Sequence, residues 1–321
     1  MRAFRLNGFD TAPEIEELPR PVPQEGEALV RIAACGLNFA DLLMLTGRYQ
    51  DTPAPPFTMG MEVAGIVEAL GQNTDGPAPG TRVAVFAGQG GLAEAGCFPV
   101  ARMVAIPDAM PFDQAAGFLV AYGTSHLALD HRARLQKGER LLVLGAAGGV
   151  GLTAVEIGAG MGAEVIACAR GAAKLEVARA AGAHHLIDSE TGDIREAVRA
   201  LGGADVVYDA VGGDQFKAAM RASNPSGRLI PIGFASGEVP QIPANILLVK
   251  NLTVIGCYWG GYVGFAPDIL RDSLAELFRL YEAGRLHPHI GATYPLERAA
   301  DALALMKARK STGKVVVVMS G

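Results

Sequence analysis

Two hydrophobic rhythms divide the chain. From Met1 to about Val100, short extended runs such as Ala28-Leu29-Val30-Arg31-Ile32, Val63-Ala64-Gly65-Ile66-Val67 and Arg82-Val83-Ala84-Val85 alternate with turn-forming segments such as Gly71-Gln72-Asn73 and Gly76-Pro77-Ala78-Pro79-Gly80. Brief β-branched runs closed off by Gly and Pro predict a compact, mainly antiparallel β domain.

From about Pro111 the rhythm changes to apolar strands separated by amphipathic helical stretches. The candidate strands are Arg140 to Leu144, Glu164 to Ala167, His184 to Ile187, Asp205 to Tyr208, Arg228 to Ile232 and Leu252 to Ile255. Most gaps between them hold a crossover helix, which parallel β-α-β units require. This predicts a doubly wound sheet. After Ile255 the alternation stops. A helix from about Pro267 to Ala283, the segment Tyr294-Pro295-Leu296, a second helix and a final strand from Lys314 to Val318 follow. The tail has no room for a second nucleotide-binding half and is expected to rejoin the first domain. The expected division is therefore residues 1–115 with 258–321 as one discontinuous domain, and residues 116–257 as the α/β domain.

Between the first of these strands and a helix predicted over Leu152 to Gly158 lies Gly145-Ala146-Ala147-Gly148-Gly149-Val150-Gly151. One glycine serves the tight bend, another lets the backbone approach a pyrophosphate, and a third permits close packing of helix on strand. The helix amino terminus adds free N–H groups and the positive end of its dipole. Glycine clusters also arise in turns for conformational reasons alone, but the strand-turn-helix context is the one a dinucleotide site requires. Gly145, Ala147, Gly148, Gly149, Val150 and Gly151 are the candidate phosphate-binding residues.

The end of the second strand decides which dinucleotide fits. NAD enzymes place an acid there to bond the ribose 2′-hydroxyl. Here the strand runs out as Ala169-Arg170-Gly171, with Lys174 following and no acid before Glu176. Two cations suit a 2′-phosphate, so NADPH is expected over NADH. The competing reading is that both are solvated residues of a surface helix.

Composition narrows the class. Half of the 321 residues are apolar and the formal charge is −5, which predicts a folded protein with a large core and no basic footprint for nucleic acid. The long uncharged stretch Leu141 to Val155 is Gly-rich and shorter than the roughly 20 residues that span a bilayer. With no apolar leader after Met1, a cytoplasmic protein that does not enter the membrane is expected. Cys35, Cys97, Cys168 and Cys257 are widely spaced and form no C-x-x-C pair, so reduced thiols are expected.

Several segments resemble the quinone oxidoreductase, or zeta-crystallin-like, branch of the medium-chain dehydrogenase/reductases. They are Gly36-Leu37-Asn38-Phe39-Ala40-Asp41 with Gly47-Arg48-Tyr49, Gly60-Met61-Glu62-Val63-Ala64-Gly65, the turn 145–151, Tyr208-Asp209-Ala210-Val211-Gly212 and Gly313-Lys314-Val315-Val316-Val317. The resemblance covers nearly the whole chain. It implies a GroES-like catalytic domain, a Rossmann domain, and a cleft between them for nicotinamide and substrate. The zinc alcohol dehydrogenases resemble the chain through the same segments but carry a ligating Cys where Asn38 stands and a ligating His where Met61 stands, with a third ligand near Val120. None of these residues suits zinc, and the four-cysteine structural lobe is missing around Cys97. The pair His184-His185 and the pair His287 and His289 have no third ligand nearby in sequence, so no metal is expected.

By the same resemblance Asn38 lies beside the nicotinamide, bonding the cofactor or an acceptor oxygen, while a turn-forming Asn before a helix is an equal reading. Tyr49 resembles a tyrosine of the cleft that serves the reduced acceptor as proton or hydrogen-bond donor; its bland reading is packing on Pro53 to Pro56. Asp41 reads as a helix-stabilising acid. Thr124 is implied on the nicotinamide side. Val211, Gly233 and Phe234 follow the fourth and fifth strands, where α/β sheets bind ligands. Lys314 resembles a lysine near the cofactor, with a surface lysine as its alternative. A tyrosine frequent after the third strand is replaced near Ser189.

Without zinc there is no Lewis acid, and the expected reaction is hydride transfer from NADPH to an already electrophilic small molecule, a quinone. Reduction of conjugated C=C bonds in enones, alkenals or acryloyl thioesters is the nearest alternative. A dinucleotide-binding protein with a non-catalytic or RNA-binding role is the third. The uncharged sixth strand, Leu252 to Ile255, is expected at a sheet edge, where pairing with a second copy makes a homodimer.

Overall fold

The computed structural model describes residues 1–319. The chain forms two compact units, residues 1–120 with 288–321, and residues 121–287. Among the described residues no helix is long and apolar enough to cross a membrane.

The first unit is built on a seven-stranded, mostly antiparallel sheet. Its central strand, Glu27–Leu37, pairs with Glu62–Leu70 on one side and with the terminal strand Lys314–Val318 on the other, Val315 opposite Leu37 and Val317 opposite Cys35. A three-stranded sheet of Glu14–Glu17, Arg2–Leu6 and Phe57–Thr58 flanks it. Phe4, Leu6, Ile32, Met59, Met61, Val63, Phe98 and Leu296 fill the core between them. The final strand is apolar after Lys314, so it is stable only between other strands or under cover. Its place beside Glu27–Leu37 carries Lys314 into the interior.

The second unit is the doubly wound half. Its six strands are all parallel. They lie in the order His185–Asp188, Glu164–Ala169, Arg140–Leu144, Ala204–Asp209, Ser223–Pro231, Thr253–Val254. The order reverses between the first strand and the fourth, the point at which such sheets take their ligands. The α/β fold class, GroES-like β unit plus Rossmann sheet, is as the sequence predicts. Boundaries differ in detail. The fifth strand begins at Ser223, and the sixth holds only two residues.

Residues 258–287, expected with the first domain, belong to the second unit. The helix Pro267–Glu282 buries Leu270, Leu274, Leu277 and Phe278, a stripe at helical spacing that must be covered. The second unit supplies the cover. Ser273 Oγ lies 2.8 Å from His126 Nδ1. Trp259 packs where Gly123 leaves room, for a Cβ there would sit 2.5 Å from its indole nitrogen. Periodicity showed the stripe but not which unit would receive it.

Gly65 tests the central pairing. It faces Ile32, and a Cβ on it would lie 2.2 Å from the Arg31 carbonyl oxygen. Backbone cannot retreat as a flexible side chain can, so Gly65→Ala should destabilise the protein by about 2 kcal/mol or more. A melting temperature equal to that of the unmodified protein would show that the strand spacing is looser than described.

Candidate functional site

In the first unit, Asn38 stands just before the short helix Phe39–Met44. Asp41 Oδ2 accepts the backbone N–H of Asn38 at 2.7 Å, which ties off the helix start as the acid's position suggests. The Asn38 side chain turns to two charged neighbours. Its Oδ1 accepts from Lys314 Nζ at 2.8 Å, and its Nδ2 donates to Glu62 Oε1 at 3.0 Å. Lys314 Nζ also pairs directly with Glu62 Oε1. The other carboxylate oxygen of Glu62 accepts the Val120 backbone N–H at 3.0 Å. Both members of the pair are buried, with side-chain exposures of 7% and 1%. The alternative of a surface lysine for Lys314 is therefore wrong. Strand pairing places the residue inside the sheet, which a lysine preceding an apolar run does not reveal.

Asn38 and Lys314, 276 residues apart, are thus brought together. The sequence reading missed Glu62, which holds them. The signal was present, since Glu62 is a charged residue among the apolar Met61, Val63 and Ala64, and a buried charge needs a partner. Met61 itself is in the core. Tyr49 is partly buried and packs on the same core.

Asp41 is fully buried, with its Oδ1 lacking a hydrogen-bond partner among the described residues. Desolvation raises its pKa to about 7, against the opposing pull of the Asn38 N–H and the Lys314 charge, while Glu62 adds to the rise. Burial likewise pushes the neighbouring Cys35 thiol well up, so it is a thiol and not a thiolate.

In the second unit the glycine turn follows Arg140–Leu144 and opens the helix Gly149–Gly160, capped by Gly148 with no side-chain hydrogen bond. The helix starts earlier than predicted because the last residues of the turn are its first turn. Gly145 is left-handed, φ 73°, and a Cβ on it would lie 3.1 Å from Val211. A Cβ on Gly151 would lie 2.1 Å from the Gly145 carbonyl oxygen. Glycine is therefore required at both places, and the first N–H groups of the helix are left uncapped by side chains, as an anion site needs. Ala147 packs with Ala169 and Leu175 beneath the turn.

Past the fourth strand, the buried Asp209 carboxylate accepts the N–H groups of Val211 and Gly212 at 2.8 and 2.9 Å. The N–H of Gly233 reaches back to the Asp209 carbonyl at 3.2 Å, and the Phe234 ring lies beside Gly212. Val211, Gly233 and Phe234 are thus gathered with Gly145 at one end of the sheet. At the second strand's end, Arg170 and Lys174 are close enough that, after desolvation, the Arg170 charge lowers the Lys174 pKa. Asp188 joins them unexpectedly, its carboxylate accepting the Gly171 N–H at 3.1 Å. It lies beside Ala169 across the sheet, a neighbour that chain distance concealed. Thr124 is buried on the helix Leu119–His126. Its neighbour Ser125 bonds Thr153 and Tyr208 at 2.8 and 2.9 Å, fixing that helix beneath the glycine turn.

Two family profiles match the chain. One described as the alcohol dehydrogenase GroES-like domain covers residues 24–108, and one described as zinc-binding dehydrogenase covers residues 149–279. A quinone oxidoreductase-like protein 2 homolog of Nematostella vectensis is 41% identical, over 91% of this chain and 82% of its own length. The chain belongs to the quinone oxidoreductase-like medium-chain dehydrogenase/reductases. It is an oxidoreductase of that family. The Thermus thermophilus quinone oxidoreductase, solved also as its NADPH complex, is 34% identical with a TM-score of 0.86, covering 99% of this chain and 100% of that one. A mycobacterial protein solved with NADPH is 29% identical with a TM-score of 0.92, covering 99% of each.

The buried Asp41 makes a pH prediction for this branch member. Its pKa is raised on folding, so its contribution to stability is complete below the ordinary aspartate value and is lost as pH rises through about 7. Asp41→Asn keeps an oxygen for the Asn38 N–H without the buried charge. Its melting temperature relative to the unmodified protein should rise between pH 5 and pH 8. Parallel profiles for the two proteins would contradict a raised Asp41.

Proposed function

We propose that this protein is an NADPH-dependent reductase of small electrophilic acceptors, quinones foremost, acting without zinc. The observation that carries the reading is the glycine turn, with its uncapped helix start and two positions closed to any Cβ, followed by the paired cations at the second strand's end. The NADPH complexes of two structural relatives support it.

In this reading Gly145, Ala147, Gly148, Gly149, Val150 and Gly151 hold the pyrophosphate, and Arg170 with Lys174 holds the 2′-phosphate. Thr124, Val211, Gly233 and Phe234 line the nicotinamide half. NADPH, when bound, supplies the hydride to a carbon that is already electrophilic. The protein's share is positioning, and Tyr49 donates the hydrogen bond or proton that the reduced acceptor oxygen takes up.

Zinc independence is supported by the donors present. Asn38 offers an amide and Met61 a thioether within the core, both poor for zinc. Of the carboxylates beside Asn38, Asp41 accepts the Asn38 backbone N–H and Glu62 is paired with the Lys314 ammonium.

The test is NADPH oxidation with a 1,4-quinone, an enone and an acryloyl thioester compared on purified protein. A preference for the quinone is expected. Higher kcat/KM with a conjugated C=C acceptor would assign the site to that chemistry, and no turnover with any of them would leave a binding protein. Arg170→Glu with Lys174→Ala should weaken NADPH by one or more decades, since each charge-assisted bond is worth about 1.5–3 kcal/mol, and leave NADH nearly unchanged. Equal weakening of both cofactors would remove these residues from the 2′-phosphate.

We also propose a homodimer joined through the edge strand Thr253–Val254. Nearby Leu248 and Val249 are 76% and 71% exposed, an apolar edge that a second copy would cover. Light scattering should give twice the chain mass at micromolar concentration, and Val254→Pro should shift it toward monomer. A monomeric unmodified protein would refute the pairing.

A further inference from the structure

The cations at the end of the second strand stand where their surroundings disfavour them. Lys174 is the third residue of the helix Ala172–Ala180, in the turn where the helix dipole opposes a positive charge. That turn carries no acid, and its cap, Gly171, has no side chain to offer. Burial disfavours the Lys174 charge, and the nearby Arg170 repels it. Repulsion of this kind splays a turn unless something outside the helix holds it.

The hold comes from the third strand. Asp188 is the last residue of His185–Asp188 and lies opposite Ala169 in the sheet. Its Oδ1 accepts two backbone N–H groups, that of Glu190 at 3.0 Å and that of Gly171 at 3.1 Å. These two bonds, that of Glu190 foremost, keep the carboxyl below the ordinary aspartate range, so it is ionised at neutral pH. Hydrogen bonds to a charged acceptor are the stronger kind. Gly171 is left-handed, φ 75°, and a tie at its N–H fixes the residue that joins Arg170 to the helix carrying Lys174. The same oxygen pins the loop that bears Glu190, whose charge attracts Lys174.

We infer that Asp188 is a positioning residue for the 2′-phosphate site, setting through the Gly171 N–H the turn that presents Arg170 and Lys174 together. This rests on the assignment of those two cations to the 2′-phosphate under the proposed function. The consequence runs against the plain reading of an acid near this end of the sheet, which is a preference for NADH. Here the acid is committed to backbone N–H groups and favours NADPH, because only a cofactor with a 2′-phosphate senses where the two cations stand.

The probes are NADPH and NADH alone, each Kd read by fluorescence without turnover. Asp188→Ala should raise the NADPH Kd about threefold to tenfold, the scale of one hydrogen bond, and leave the NADH Kd within about twofold. Asp188→Asn keeps an oxygen for both N–H groups and should recover most of the NADPH binding. Equal weakening of both cofactors by Asp188→Ala would make the residue a general support of the fold, and tighter NADPH binding would make it a repelling acid. Either result overturns the inference.

Amide hydrogen exchange of the cofactor-free protein reads the tie itself. The Gly171 N–H should be protected, and should exchange faster in Asp188→Ala. Free exchange of Gly171 in the unmodified protein would mean that the tie does not exist. If Gly171 is protected but Arg170→Glu with Lys174→Ala weakens both cofactors alike, the assignment of the cations fails and the inference falls with it. If that double variant behaves as expected and Asp188→Ala leaves NADPH binding unchanged, the inference alone has failed.

Discussion

A lysine ammonium and a glutamate carboxylate, buried together in the first unit, constrain much of what surrounds them. Removing one partner of such a pair leaves an uncompensated charge, which typically costs about 3–5 kcal/mol. The chain therefore has to deliver both, and it does so from opposite ends of the sequence. Glu62 starts one strand and Lys314 starts the last, each beside the central strand Glu27–Leu37. The Val120 N–H and the Asn38 amide complete the shell of the carboxylate. A terminal segment that could otherwise fray is tied in by chemistry as well as by its apolar side chains.

The second unit works under a different constraint, that of close approach. Gly145 and Gly151 let the turn fold so tightly that any Cβ would meet backbone or Val211. The hydroxyls of Ser125, Thr153 and Tyr208 bond one another underneath. The strand order brings the turn beside the ends of the fourth strand and its following loop, so groups scattered between Gly145 and Phe234 come together. Under the proposed function this rigidity matters, because a phosphate site of backbone N–H groups is only as exact as the turn that presents them.

These two constraints differ in how far they can be read along the chain. The glycine turn is local. Strand, turn and helix are contiguous, each glycine has a steric reason, and Arg170 follows at the distance the fold dictates. The parallel strands were legible for the same reason, as apolar runs at crossover spacing. Lys314 was not, because nothing within the last ten residues distinguishes a buried lysine from a solvated one. Asp188 and Glu62 were hidden likewise, their partners lying elsewhere along the chain.

The sequence alone thus determined the fold class, the glycine turn and the pair of cations that follows the second strand, since each depends on interactions among residues a few positions apart. Tertiary structure decided which unit takes the helix after Pro267, that Lys314 is interior, and which way the Asn38 amide faces. Those depend on what stands opposite across a sheet or beneath a helix. Periodicity announces that an apolar face or a charge needs a partner, but only the folded chain says which partner it finds.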